Sequence, residues 1–289
     1  MKISVIIPTY NSWHTLRSCI ESIKKQTKKP SEIVVVDNAS TDDTGRQVKT
    51  HFPKVKLVTL SNNLGVTGGR NIGIENASKK SDYLCFFDHD MVADKNMLSE
   101  LLKVAESNSD AGTVTPKIYY WDKKSIIWSA GTGINMYTGK NWFRNGKDEG
   151  QYEKVEKVPI APAVLLVKKE VIKQIKGFDD TFFAVYEDSD FCFRAKNRGF
   201  YTYYSPKAVA YHKIPYDEKN SMLRLLTRLY WVGRNRTIFM KEHGANYYVY
   251  LLSLPFFITY YFYLSVRYLK FIAFWEYSRG LLKGLLFRR

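Results

Sequence analysis

Short apolar runs alternate with segments of helical period through about the first 115 residues, the pattern of an α/β layer with a mostly parallel sheet. Ile3 to Ile7 reads as a strand that Pro8 should stop. Leu16, Cys19, Ile20 and Ile23 then fall at i, i+3, i+4 and i+7, one face of a helix, with Ser12 or Asn11 placed to cap it. "EIVVVD" is continuously apolar, as a strand covered on both faces would be. "STDDTGRQVKTHF" predicts a short capped helix and "KLVTL" a third strand. "GVTGGRNIGIENA" predicts a glycine-rich turn entering a helix, and "YLCFF" a fourth strand.

The alternation loosens after "AGTVTPKIYY". Residues 119–160 mix aromatics, glycine and lysine without a clear period and read as loops and edge strands. "APAVLLVKKEVIKQIKGFDD" restores a strand and a helix ending at Gly177. Residues 222–243 read as helical and basic. Gly244 to Val266 carries no formal charge and is long enough to cross a bilayer, which takes about 20 residues. It is also rich in tyrosine and contains Pro255, which suits an interface better than a lipid core. "RYLKFIAFWEYSRGLLKGLLFRR" alternates apolar pairs with basic residues, as an in-plane amphipathic helix does.

Charge sharpens this division. The chain of 289 residues has a net charge of +16, and residues 213–289, with 13 basic and four acidic side chains, hold more than half of it. A basic tail needs an anionic neighbour, and lipid or nucleic-acid phosphates are the usual ones. Because the excess sits beside an apolar tail, and not as a stripe on the α/β region, a membrane surface is the expected partner and nucleic acid is not. A hydrophobic content of 45% excludes global disorder. Cys19, Cys85 and Cys192 are odd in number, scattered and set among apolar residues, as buried thiols are. "MKISVIIPTY" lacks the apolar core and cleavage site of a secretory leader and reads as a first strand.

Candidate chemistry collects at strand ends, where α/β sheets bind ligands. "YLCFF" runs into Asp88-His89-Asp90, and strand alternation sends Asp88 and Asp90 to one side and His89 to the other. Two converging carboxylates suit a hard divalent cation that also holds a diphosphate; a polar turn closing the strand is the alternative. Asp37 ends "EIVVVD", placed either to accept from a base edge or ribose or to cap the next helix. "NNLGVTGGRNIG" sets three glycines and Arg70 at a helix start, a phosphate-favouring arrangement. It is neither a dinucleotide fingerprint nor a Walker loop, because the spacing is wrong and no GK[ST] follows. "YEDSDFCFR" gathers Glu187, Asp188 and Asp190 ahead of Arg194, either a source of a general base or acids in a helix's first turn.

In this order, "SVIIPTYN", "VVVDNASTDDT", "NNLGVTGGRN", "DHD", "GFDDTFFAVYEDSDFCFR" and "VAYH" resemble the inverting family 2 glycosyltransferases of GT-A fold over roughly residues 1–245, most closely the rhamnosyltransferase-like set. The resemblance implies a catalytic domain over 1–221, with a nucleotide-binding half (1–115) and an acceptor half (116–221); the apolar and basic pattern of 222–289 adds a helical, membrane-associating region, as in-plane helices or a helical hairpin. The resemblance also implies that Thr9, Tyr10 and Asp37 contact the nucleoside, that Asn63 and Arg70 lie along the nucleotide, and that Asp88 lies near ribose and metal. Asp88, Asp90 and His212 would ligate Mg²⁺ or Mn²⁺, Asp188 would be the catalytic base and Glu187 its neighbour. The donor would be a UDP- or dTDP-sugar, the acceptor a glycan or lipid-linked hydroxyl, and the location the cytoplasmic face of the membrane. His89 departs from the D-D-D of many relatives but leaves the outer acids in place. A nucleotidyltransferase is the rival enzyme, and "PTYNSW" after the first strand lacks the glycine-rich basic loop that one requires.

Overall fold

In the computed structural model, which describes residues 1–289, the N-terminal apolar run forms strand β1 (Ile3–Thr9), buried at every position. The strand continues through Pro8. The Lys2 carbonyl accepts from Tyr83, whereas those of Ile3 and Thr9 accept from Ser31 and Asn38, so even-numbered positions bond to one side and odd-numbered positions to the other. Pairing on the even side ends at Ile6, and the N–H that Pro8 lacks therefore has no ladder partner to miss.

The alternation continues as α1 (Trp13–Lys24), β2 (Glu32–Asp37), α2 (Thr44–His51), β3 (Lys56–Thr59), α3 (Gly65–Asn76) and β4 (Tyr83–Phe87). Leu16, Cys19, Ile20 and Ile23 are all fully buried on α1. Neither expected capping side chain closes that helix. Ser12 Oγ donates to the Tyr10 carbonyl, and Thr44 Oγ1 accepts from the Ser12 and Trp13 amides instead. Asn11 turns to the opposite loop, accepting from Thr41 and Asp42.

Next come β5 (Met91–Ala93), α4 (Met97–Ser107), β6 (Ala111–Tyr120), β7 (Ile126–Ser129), β8 (Thr132–Ile134), β9 (Asn141–Phe143), β10 (Gly146–Lys147), β11 (Glu156–Lys157), β12 (Val164–Lys168), α5 (Lys169–Ile175), α6 (Glu187–Lys196) and β13 (Tyr201–His212). The main sheet runs β10-β7-β6-β12-β4-β1-β2-β3. It is parallel across β4, β1, β2 and β3, and β12 inserts antiparallel between β4 and β6. β13 runs parallel to β6 and antiparallel to β5. Alternate strand residues enter two cores, one against α1, α2 and α4 and the other against α3, α5 and α6. All three cysteines are free and buried within them.

The C-terminal region is α7 (Glu218–Leu226), α8 (Leu229–His243), α9 (Tyr247–Arg267) and α10 (Phe271–Leu286). The basic segment expected as one helix breaks at Thr227-Arg228. Glycines bring α8 and α10 into backbone contact: a Cβ at Gly233 would lie 2.7 Å from the Tyr277 carbonyl oxygen, and one at Gly280 would collide with that of Tyr230. Lys241 donates to the carbonyls of Gly284 (3.0 Å), Leu285 (2.6 Å) and Phe287 (3.1 Å), closing the C-terminal end of α10. On α9, Tyr250, Leu254, Phe257, Tyr261 and Leu264 pack inward, while Tyr248, Leu252, Phe256 and Tyr263 face out. One apolar cluster joins these helices to Ile134, Ile160, Phe182 and Tyr186, so packing is continuous across residue 221.

Candidate functional site

The ends of β1 and β4, the turn after β4, the segment before β12, the N-terminus of α6 and the α7–α8 junction surround a cavity of about 570 Å³, the size of a small-ligand site. Thr9, Tyr10, Asn63, Asp88, Asp90, Glu187, Asp188 and His212 all line it. Chain segments far apart in sequence converge because strands β1 and β4 end together and antiparallel β12 begins beside them. The Asp88 amide donates to the Ala163 carbonyl at 3.2 Å.

Arg70 is not at a phosphate-facing helix start. Gly69 and Gly73 let α3 lie directly on β1: a Cβ at Gly69 would sit 3.0 Å from Pro8 Cβ, and one at Gly73 would collide with Ile6. Arg70, between them, is fully enclosed. Its guanidinium stacks over Phe178 at 4.9 Å and bridges two carboxylates, Nη1 to Asp188 Oδ1 at 2.5 Å and Nη2 to Asp88 Oδ1 at 3.0 Å. Burial alone would weaken its hold on the proton, but Asp188, Asp88 and Glu187 outweigh that and keep it charged. The glycines thus serve close packing rather than anion binding.

The acidic cluster divides between its two sequence readings. Glu187 and Asp188 open α6 and face the cavity, whereas Asp190 is fully buried and accepts from Arg194 Nε at 2.7 Å and His243 Nε2 at 2.9 Å. Burial, then the neighbouring Asp188 charge, pushes Glu187 up to about 7. Burial also raises Asp188 above its ordinary value, with the Arg70 charge opposing. Glu187 thus holds its proton more tightly than a free carboxyl, and Arg70 favours the charged form of Asp188 against its burial. Asp190, Glu242 and His243 could together reach one cation, but Arg194, His243 and Arg289 already pair their carboxylates, and none of the three lines the cavity.

At Asp88-His89-Asp90 the expected alternation holds for His89, which turns to α1 with Nδ1 3.1 Å from Thr15 Oγ1. Asp88 and Asp90 then diverge, Asp88 to Arg70 and Asp90 to His212. The antiparallel register of β13 on β5 sets His212 opposite Met91, which brings His212 Nε2 to 3.1 Å from Asp90 Oδ2. Burial would raise Asp90, but the His212 hydrogen bond and the charges of His212 and His89 hold its carboxyl well below the usual range. His212 stands edge-on to Trp128 at 4.5 Å, and its buried Nδ1 has no hydrogen-bond partner. An imidazole and a carboxylate this close form a donor set suited to Mn²⁺, and the carboxylates equally to Mg²⁺. Arg70 engages only Oδ1 of Asp88, which leaves Oδ2 as the oxygen it could add to that set.

Asp37 does not line the cavity. Its Oδ1 accepts from the Ser40 amide at 3.0 Å, and Oδ2 lies against Gly45 at the start of α2, which leaves that oxygen as its remaining acceptor. Thr9 Oγ1 is buried without a partner, while Asn63 Oδ1 accepts from the Gly65 amide. Asn38, Trp231, Arg224 and Arg228 are among the cavity residues that the sequence reading did not single out. Asn38 ties two loops, accepting from the Leu64 amide and donating to the Gly65 carbonyl at 2.7 Å. Trp231 stacks on Phe183 at 4.8 Å, and Arg224 and Arg228 join it on the same wall. Arg224 is made less basic by burial and by Arg228, with Asp90 opposing, and neither arginine has a carboxylate within ion-pair distance. Basic content marked residues 222–243, but only the break after α7 selects which cations turn inward.

Comparison with known proteins places this geometry. The chain is 28% identical over 194 residues to the glycosyltransferase GlyG of Streptococcus pneumoniae, covering 62% of each chain. It is 25% identical over 231 residues to an N-acetylglucosaminyl-diphospho-decaprenol L-rhamnosyltransferase of Mycobacterium tuberculosis, covering 72% of this chain and 75% of that one. The chain thus spans under two thirds of the pneumococcal relative. Among solved structures, Staphylococcus aureus TarS superposes with a TM-score of 0.55 at 22% identity, over 79% of this chain and 40% of the other. GalNAc-T7 with UDP, GalNAc and Mn²⁺ superposes with a TM-score of 0.62 at 15% identity, over 88% and 54%. The fold is therefore GT-A. The family model for "Glycosyl transferase family 2" matches residues 4–176, and with its sheet order and strand-end cavity the chain belongs to that family.

Proposed function

We propose that this chain is a divalent-cation-dependent, inverting glycosyltransferase that moves a sugar from a UDP- or dTDP-sugar to a hydroxyl of a glycan or lipid-linked acceptor. The observation that carries the reading is one cavity lined by both an Arg70-clamped Asp188 and the Asp90–His212 pair. Asp188 takes the proton of the acceptor hydroxyl as its oxygen attacks the anomeric carbon, and the bond to the diphosphate breaks on the opposite face. A single displacement with one base inverts that carbon. Arg70 donates to Asp188 and favours its charged form, while burial and the Asp188 charge raise Glu187 beside it. Bound by Asp90 and His212, with Asp88 in reach, Mg²⁺ or Mn²⁺ would supply charge stabilisation of the leaving diphosphate. Arg224 and Arg228 add uncompensated positive charge on the same wall. Thr9, Tyr10 and Asn63, which line the cavity, are assigned to the nucleoside. A lipid-linked acceptor draws support from the mycobacterial relative's name, and a cation from the Mn²⁺ in the GalNAc-T7 structure.

We place the protein on the cytoplasmic face of a membrane, with α9 and α10 lying in the interface. Leu252, Phe256, Leu269, Ile272 and Trp275 are each more than 60% exposed and form an apolar surface with Arg267 and Lys270 among them. The inner face of α9 is committed to the protein, which supports a flat orientation over a span.

The test is Asp188→Asn, which keeps size and hydrogen bonding but accepts no proton. Turnover should fall by roughly 10²–10⁴-fold while nucleotide binding by calorimetry persists. Asp90→Ala, or excess chelator on the native protein, should abolish turnover without unfolding. Native turnover by D188N beside a dead Glu187→Gln would move the base to Glu187, and turnover in chelator would remove the cation.

A further inference from the structure

We infer that Asn235, on α8 and outside the reaction cavity, is a positioning residue that sets the catalytic carboxylates by holding a strained turn in place. The inference rests on the reading of Asp188 as the base. α6 starts abruptly: its first two residues are Glu187 and Asp188, and the two residues before it, Val185 (φ 66°) and Tyr186 (φ 71°), both lie in the left-handed region. Neither is glycine, and Val185 is β-branched, for which positive φ is a true outlier. Such a backbone persists only where its surroundings over-determine it.

Asn235 supplies that determination. It is fully buried, and its Nδ2 donates to two successive carbonyls of the turn, Ala184 at 2.7 Å and Val185 at 2.9 Å. Both amide hydrogens are thereby used. Its Oδ1 accepts from Arg234 Nη1 at 2.7 Å, and the same Nη1 donates to the Thr181 carbonyl at 2.7 Å, so one pair of side chains grips both ends of the turn. Tyr186 reaches the Gly139 carbonyl through its hydroxyl at 2.5 Å, and Phe183 stacks on Trp231. The Phe183 carbonyl in turn accepts from the Val66 amide at 2.9 Å, at the start of the helix that carries Arg70. The clamp therefore fixes both the base and the Arg70 guanidinium that donates to it. A hydrogen-bonded amide is the fitting chemistry here, because a charged side chain at so enclosed a point would need a counter-charge.

The consequence is that α8 is part of the catalytic apparatus, although it lies in the segment that sequence assigns to membrane association. A displacement of about 1 Å at a reacting group can cost on the order of 10²-fold in rate. Asn235→Ala should therefore lower kcat by about 10- to 100-fold, leave the calorimetric Kd for UDP and Mn²⁺ unchanged, and shift the acid limb of the pH–rate profile. Val185→Gly provides the decisive control, since glycine takes positive φ without strain. In the N235A background it should restore most of the lost kcat, which a mere packing defect would not allow. Should N235A not fold, Asn235→Ser, which keeps one donor, takes its place in the same comparison. Native turnover by the Asn235 variant while D188N is inactive, or failure of V185G to rescue it, overturns the inference. Native turnover by D188N instead removes the base assignment underneath it.

Discussion

Replacing Arg70 by methionine tests the electrostatic core of the site. The side chain is fully buried and joins Asp188 at 2.5 Å to Asp88 at 3.0 Å, so its removal leaves two carboxylates facing each other with Glu187 alongside. A unit-charge pair at about 4 Å and an effective dielectric near 20 interacts by about 4 kcal/mol. That equals about 3 pK units, and carboxylates beside arginine are commonly shifted by about 1–3. Asp188 should then hold its proton to higher pH, since burial and Asp88 already raise it and Arg70 is what opposes them. The acid limb of kcat/KM should move up by about 1–3 pH units, with activity lost at neutral pH and partly regained in alkali. Breaking a buried pair from one side costs about 3–5 kcal/mol, so R70M should also be less stable by denaturant titration. The sign of its pH dependence follows. Carboxylates whose folded pKa exceeds the unfolded value favour the folded state below it and lose that stability as pH rises, so the deficit should be smaller in mild acid than at neutrality. Arg70→Lys, which keeps a charge without the fork, should fall between. A uniform loss of rate with an unmoved acid limb would refute the argument.

Glu187→Gln should remove a titration from the stability profile. Because Glu187 moves from 4.5 to about 7 on folding, the native protein should lose stability relative to the variant as pH rises through that interval, read from denaturant midpoints. Gly73→Ala should destabilise by about 1–3 kcal/mol through overpacking against Ile6, seen as a lowered Tm, and a neutral result would mean that α3 can lift off β1 freely. Leu252→Ser with Trp275→Ser should abolish flotation with phosphatidylglycerol vesicles while sparing turnover on a soluble acceptor; unchanged flotation would exclude the α9–α10 face as the contact.

Much of this protein was fixed by local pattern. The period of Leu16, Cys19, Ile20 and Ile23, the continuous run of "EIVVVD" and the apolar strand "YLCFF" follow from side-chain burial on helices and strands, and the structure forms a helix over Trp13–Lys24 and strands over Glu32–Asp37 and Tyr83–Phe87. That the acids following β4 would line a pocket is likewise a consequence of α/β topology, and Asp88 and Asp90 do line it, whereas Asp37 at the end of β2 does not. What a linear pattern cannot carry is the direction in which a side chain turns once helices dock. Arg70 stands beside glycines that read as a phosphate loop, yet those glycines let α3 approach β1, and that approach turns the guanidinium onto carboxylates 18 and 118 residues away. Asp88 and Asp90, two residues apart, take different partners because one faces α3 and the other faces the antiparallel register of β13. The left-handed turn at Val185 and Tyr186 contradicts its own residue types and exists only because α8, some 50 residues later, supplies its hydrogen bonds. Local chemistry decided the elements, and long-range packing decided which charges meet.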